Sequence, residues 1–225
     1  MDRKKLVAPA LIVAAGLAIV VGSIAIADPS RESKPTTQPE MKLPPGWTEA
    51  DMQACVRAGT PGKMHEHLAK SVGEWRGQTT MWMVPDAEPT KGECTSTVKS
   101  ILDGRYTKIK MSGQGCDMGP YEGLGIYGFD NVSQKFVSVW IDNHSTGIMN
   151  GVGAMSEDGK TITWEFTVNC PITQKPTVLR EIETITGPDT KTLEMFATDH
   201  KSGKEFKMMT IKLTKKEGDA RTSRR

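Results

Sequence analysis

The side chains able to do chemistry in this chain are Cys55, Cys94, Cys116 and Cys170, the triplet His65-Glu66-His67, the separate His144 and His200, and carboxylates near Glu122, Asp130 and Asp142. Thiols can chelate a metal, attack an electrophile or pair into disulfides. No C-x-x-C spacing is present, so a thiolate metal centre has little support. In an exported chain an even count favours disulfides, and four cysteines allow three pairings. Cys116–Cys170 is the preferred bridge, with Cys55–Cys94 as its complement. His65 and His67 stand two apart, which on a helix sends them to different sides, so they cannot grip one ion together. The H-E-x-x-H spacing that would do so is absent. They read as surface or helix-packing residues. His144 or His200 could supply an axial haem ligand, although a loop histidine is far more often solvated. No metal or cofactor is expected.

Covalent and acid–base catalysis find no better footing. There is no G-x-S-x-G elbow, and Gly123-x-Gly125 sits inside a strand pattern rather than before a helix. A glycosidase-like carboxylate pair could be drawn from Glu122, Asp130 and Asp142. Asp130 reads better as a turn former and Asp142 as a strand-end cap, so no catalytic residue is assigned. The aromatic residues make a stronger case. Trp75, Trp140 and Trp164, with Phe136 and Phe166, fall on strands at positions compatible with an interior. Small barrels fill that interior with side chains. A part-apolar pocket with a few polar anchors is the functional alternative. Its expected lining is Trp75, Glu122, Tyr127, Trp140, Asp142, His144 and Arg180. A buried Arg180 would need a carboxylate partner, which Asp142 or Glu122 could supply.

The elements that must position these residues begin after an export segment. Met-Asp-Arg-Lys-Lys caps an apolar run over residues 6–27, which ends in Ala25-Ile26-Ala27, a small-x-small pattern suited to signal peptidase. The run is longer than the ~7–15 residues of an ordinary signal core and could span a bilayer, which needs roughly 20. Residues 1–27 are therefore a signal peptide or an N-terminal anchor, with cleavage preferred. Either way the remainder faces the periplasm or cell envelope, and only this segment would touch a membrane. Residues 28–45 are polar and proline-rich, a linker; residues 46–73 form a short helical prelude; residues 74–214 are the β domain; and residues 215–225 are a basic tail.

The formal charge of +2 divides unevenly along the chain. Residues 1–27 carry +2 and the tail +3, which leaves the linker and domain at −3. A domain of that sign lacks the concentrated basic face that nucleic acid requires.

The spacing predicts helices over residues 48–59 and 63–72, the second with Met64, Leu68 and Val72 on one stripe. From residue 74 onward about ten extended runs follow, near 74–84, 92–100, 105–113, 122–130, 135–142, 147–155, 161–169, 177–186, 191–199 and 204–214. In residues 161–168, Ile162, Trp164, Phe166 and Val168 alternate with polar residues, so one face is core and the other wet. Short links make a meander, and a meander of this many strands closes most simply as an all-β, antiparallel up-and-down barrel. Successive links must alternate between its ends. The longer ones, at 85–91, 114–121, 143–146, 170–176 and 200–203, mark the mouth, which gathers Cys116, Asp117, His144, Cys170 and His200.

Residues 61–75, PGKMHEHLAKSVGEW, resemble the opening of the bacterial family known as domain of unknown function 1579. The resemblance continues through Leu102-Asp103-Gly104-Arg105, Glu122-Gly123, Gly128-Phe129-Asp130, Trp140-Ile141-Asp142, Thr146-Gly147, Arg180 and Glu205-Phe206-Lys207. It covers about residues 48–215. The family is similar to calycins, which implies a lipocalin-like barrel and an exported protein; it implies no activity. Cys116 and Cys170 depart from the family pattern. The expectation is an exported, non-catalytic binder of a small apolar or amphipathic molecule. The alternatives are a structural or interaction module of the envelope and an enzyme using carboxylates at the barrel mouth.

Overall fold

Thr48, itself extended, follows a turn at residues 45–46 and starts helix α1 (Glu49–Gly59) through a capping box. Its hydroxyl accepts from Asp51 N at 3.3 Å, while Asp51 Oδ2 accepts from Thr48 N at 2.8 Å. Two otherwise orphaned donors are thereby satisfied. The computed structural model describes residues 43–115 and 119–217. No residue of α1 is buried, so the helix is held by its end rather than by a face. The Asn131 amide donates to the carbonyls of Arg57, Ala58 and Thr60 at 3.2, 3.1 and 2.8 Å. Helix α2 (Lys63–Ala69) docks by its apolar side, with Leu68 buried and Met64 against the core. It stops at Ala69, before Val72 can join the stripe. Val72 N donates to Ala69 O at 3.0 Å in the turn that leads into the first strand.

Ten strands follow: β1 (Gly73–Met81), β2 (Thr90–Ile101), β3 (Tyr106–Gly115), β4 (Gly119–Asp130), β5 (Lys135–Asp142), β6 (Met149–Met155), β7 (Thr161–Cys170), β8 (Lys175–Gly187), β9 (Thr190–Thr198) and β10 (Glu205–Lys215). Each pairs antiparallel with the next, and β1 pairs with β10, so the sheet is a closed barrel without free edges. Closure also corrects the extent of the basic tail. Lys215 lies opposite Trp75 in the ladder, and Lys216 N donates to Glu74 O at 2.8 Å. The chain therefore stays paired to Lys216, because β1 needs a partner along its full length.

The tight end carries the turns at 102–105, 131–134, 156–160 and 188–189. Asp130 builds one of them, accepting from Val132 N at 2.9 Å and from the Ser133 hydroxyl at 2.6 Å. Helix α2 covers this end: His65 meets Phe129 edge-on at 6.0 Å and His67 meets Phe136 at 6.4 Å. Both histidines thus serve packing. Above α2, Leu68, Phe136, Ile162, Trp164 and Phe166 form one core cluster. Trp75, Cys94, Val98, Ile211 and Leu213 form a second on the β1–β2–β10 side. Each buried side chain of this size contributes about 1.5–3 kcal/mol, so the floor of the barrel is solid. No described helix is long and apolar enough to cross a membrane. The expected export segment at residues 1–27, most of the expected linker and residues 218–225 lie outside the described residues.

Candidate functional site

Between the two clusters the barrel is hollow. A cavity of about 290 Å³ opens toward the mouth, close to the lower bound of ordinary ligand sites, about 300 Å³. Its wall is mainly aliphatic and thioether: Ile109, Met111, Met149, Leu179, Leu193 and Met209 among others. A bulge in β10 between Lys207 and Met209 breaks strict alternation, so Met208 joins Met209 in the lining. Methionine adapts to varied partners, and its sulfur is polarizable.

The mouth is organised around Trp140. Its ring lies flat over β4, where a Cβ on Gly123 would overlap it and one on Gly125 would approach its Cε3 to 2.6 Å. The glycines of this strand therefore seat an indole, the close approach that a strand glycine permits. Trp140 Nε1 donates to the Tyr121 hydroxyl at 2.9 Å. Burial and the facing Asp142 carboxylate push Tyr121 well above the usual phenol range. Asp142 Oδ1 in turn accepts from His144 N at 3.0 Å, and the His144 ring meets Tyr121 edge-on at 5.3 Å. His144 Nε2 is buried and has no partner among the described residues.

Deeper in, β8 and β9 introduce charge. Lys191 Nζ, almost fully buried, bonds Glu183 Oε1 at 2.7 Å and reaches Ser71 Oγ at 3.5 Å. It also stands 5.0 Å over the Trp75 ring, so the ammonium is held from three directions. Burial alone would raise Glu183, but the Lys191 charge and hydrogen bond overcome it and hold the carboxyl below its usual range. The Trp164 indole N–H is near enough to Glu183 to favour that charge, yet makes no hydrogen bond of ordinary length. Glu181, two residues earlier on the same inward face, is 7% exposed. Burial, and then the neighbouring Glu183, push it up to about 8. At neutral pH it is mostly a carboxylic acid. Tyr127 opposite is raised strongly by burial and by these two glutamates.

The expected lining residues thus divide. Tyr127, Trp140, Asp142 and His144 surround the cavity. Trp75 is buried but sits beside Lys191, its Nε1 donating to Ser71 O at 2.9 Å. Glu122 is exposed on the outer face. Arg180 also points outward, in a two-pronged bond to Glu205 at 2.9 and 2.6 Å and stacked 4.1 Å over Phe196. It meets neither Asp142 nor Glu122, because the face it shares with Val178 and Ile182 is the outer one. Glu181, Glu183, Lys191 and Tyr121 are the site residues that the sequence pattern did not single out. His200 stays at the mouth loop, 3.9 Å from Asp199 and outside the cavity.

The expected disulfides are not formed among the described residues. Cys55 is free and exposed on α1, Cys94 is free and buried in the barrel wall, and Cys170 is a free thiol. Cys55 lies on α1 and Cys94 on β2, and Cys170 accepts from Thr173 N at 3.5 Å in its own turn. Cys116 and Asp117 lie outside the described residues. Burial raises the Cys94 thiol to about 11, so it behaves as a small hydrophobe.

A closed ten-stranded barrel with a short helical plug and a partly apolar interior defines the class. The family described as Protein of unknown function (DUF1579) matches residues 60–215, and the chain belongs to that family. The crystal structure of Rv2717c from M. tuberculosis is similar, with TM-score 0.51 and 14% identity over 70% of this chain and all of that one. A redesigned β-barrel also matches, at TM-score 0.38 and 12% identity, over 69% of this chain and all of its own. The Rv2717c likeness supports the fold alone. No curated protein matches the chain.

Proposed function

We propose that this is an exported protein that binds a small, partly apolar molecule in the upper half of its barrel without transforming it. The observation that carries the reading is the hollow itself. A chain that packs Trp164, Phe136 and Phe166 tightly on its floor leaves about 290 Å³ unfilled above them. Unfilled apolar space costs stability, so its presence beside a well-packed floor favours a ligand. The polar groups along the wall supply orientation, as in ordinary binding sites. Export rests on the basic cap and small-x-small end of residues 1–27.

Native mass spectrometry of protein purified from its own source tests this. The expected result is a retained small mass that denaturation releases. A clean apo mass, together with no change of tryptophan fluorescence with small apolar probes, would overturn it. A second reading, carboxylate catalysis, draws on protonated Glu181 beside ionised Glu183, since groups whose environments separate their pKa values can divide acid and base roles. Turnover of chromogenic esters or glycosides, lost on Glu181→Gln, would move the assignment there.

A further inference from the structure

Glu181 is the most unusual group in the interior. It sits on β8 between Trp164 of β7 and Met195 of β9 in the ladder. It lines the cavity, is more than nine-tenths buried, and makes no hydrogen bond to any described residue. Its carboxyl oxygens are not fully enclosed, as Ser138 Oγ and Trp164 Nε1 are, and so face the hollow without a protein partner. The one ammonium nearby, Lys191, favours the Glu181 charge but is outweighed, because it is bonded to Glu183 and Ser71 and held over the Trp75 ring.

The charges facing Glu181 have a consistent sign. On its own strand is Glu183, neutralised by Lys191 of β9. From β4 come the uncharged phenols of Tyr121 and Tyr127, and from β5 comes Asp142. His144 stands at the rim, Cys94 of β2 is an uncharged thiol, and His67 of α2 is felt only through Glu183. Three carboxyl groups therefore share the cavity with a single, already paired cation. The remaining wall offers aromatic faces and methionine sulfurs, both favourable to a cation with an apolar body.

We propose that the cavity selects a small amphipathic amine, bound as its ammonium ion against Glu181 with its hydrocarbon part among the methionines. This rests on the binding reading above and specifies its ligand class. Before binding, Glu181 keeps a proton for want of a counter-charge. The incoming ammonium supplies that counter-charge and N–H donors, the carboxyl releases its proton to solvent, and a buried ion pair forms. A neutral ligand that merely accepted a hydrogen bond from protonated Glu181 would show the reverse pH response, binding more weakly as the acid ionised.

The test compares hexylammonium, hexanol and hexanoate by calorimetry, with tryptophan fluorescence as a second readout. With Glu181 at about 8, about nine-tenths of it is protonated at pH 7. Hexylammonium should then release close to one proton per molecule bound, measured in two buffers of different ionisation enthalpy. Its affinity should rise several-fold per unit between pH 6 and pH 7.5 and exceed that of hexanol at least tenfold. Hexanoate should bind least. Glu181→Gln should erase the preference for the amine while hexanol binding persists. Hexanol or hexanoate binding as well as the amine, or amine affinity flat with pH, would overturn the amine assignment and leave binding intact. Failure of all three probes to bind would overturn both. The proton count and pH slope come from the wild-type protein, so the test survives even if the variant folds poorly.

Discussion

Glu181→Gln also makes a prediction about stability that needs no ligand. The carboxyl has an ordinary value of 4.5 and is pushed up to about 8 in the fold, first by burial and then by Glu183. Between those values the native state holds a proton that the unfolded chain has released. Stability from this group is therefore fully present below about pH 4.5 and is lost as pH rises toward 8. At roughly 1.4 kcal/mol per unit the loss is about 3 kcal/mol at pH 7 and approaches about 5 kcal/mol well above pH 8. Glutamine keeps the shape and never ionises. Its buried amide carries its own desolvation cost, about 1–3 kcal/mol if unpaired, but that cost does not vary with pH. Urea denaturation of both proteins at pH 5, 6, 7 and 8 separates the two effects. The variant should gain about 3 kcal/mol on the wild type between pH 5 and pH 8. Parallel stability curves would mean that Glu181 is ionised in the native barrel and that its burial does not hold the proton.

Three further expectations concern the rest of the site. Lys191→Met strands the Glu183 carboxylate and should cost about 3–5 kcal/mol, with most of it recovered when Glu183→Gln is added, as a double-mutant denaturation cycle would reveal. Gly125→Ala places a Cβ at 2.6 Å from both the Trp140 and Tyr127 rings; it should destabilise by about 1–3 kcal/mol and shift the tryptophan emission spectrum. Among the described thiols, Cys55 should react readily with a thiol reagent in the native state. Cys94, raised to about 11 and buried, should react only on unfolding, which timed mass spectrometry of alkylated protein can follow.

The barrel was legible because its signals are local and repeated. Residues 161–168 alternate cleanly, and Asp130 at the β4–β5 turn makes the backbone bonds its residue type suggests. With ten strands counted, the alternation of links between two ends followed without any long-range information. Link alternation put His144 at the mouth and strand alternation put Trp140 and Asp142 on one face; together with Tyr127 they line the cavity. The limits of helix α2 and of the tail were less legible, since both depend on which residues β1 needs as neighbours.

The face of β8 was not legible, for a reason that a single residue explains. Val178, Arg180 and Ile182 alternate with Leu179, Glu181 and Glu183, so apolar content hardly distinguishes the two faces, and an inward Arg between two aliphatics is the more natural guess. Strand β7 has an unambiguous inner face, with Trp164 and Phe166 both buried, and could have decided the question through its register. That register hangs on the turn. Cys170 pairs with Lys175, and Gln174 N donates to Cys170 O at 2.8 Å, so the link is residues 171–174 and Trp164 faces Glu181. A link of residues 170–176, which the sequence suggests, pairs residues 169 and 177 and brings Ile182 opposite Trp164 instead. Because strand side chains alternate with period two, that slip of one residue turns Arg180 inward and Glu181 outward. It exchanges an anion-binding interior for a cation-binding one. The chemistry of the cavity is thus fixed by the length of a turn that never touches it.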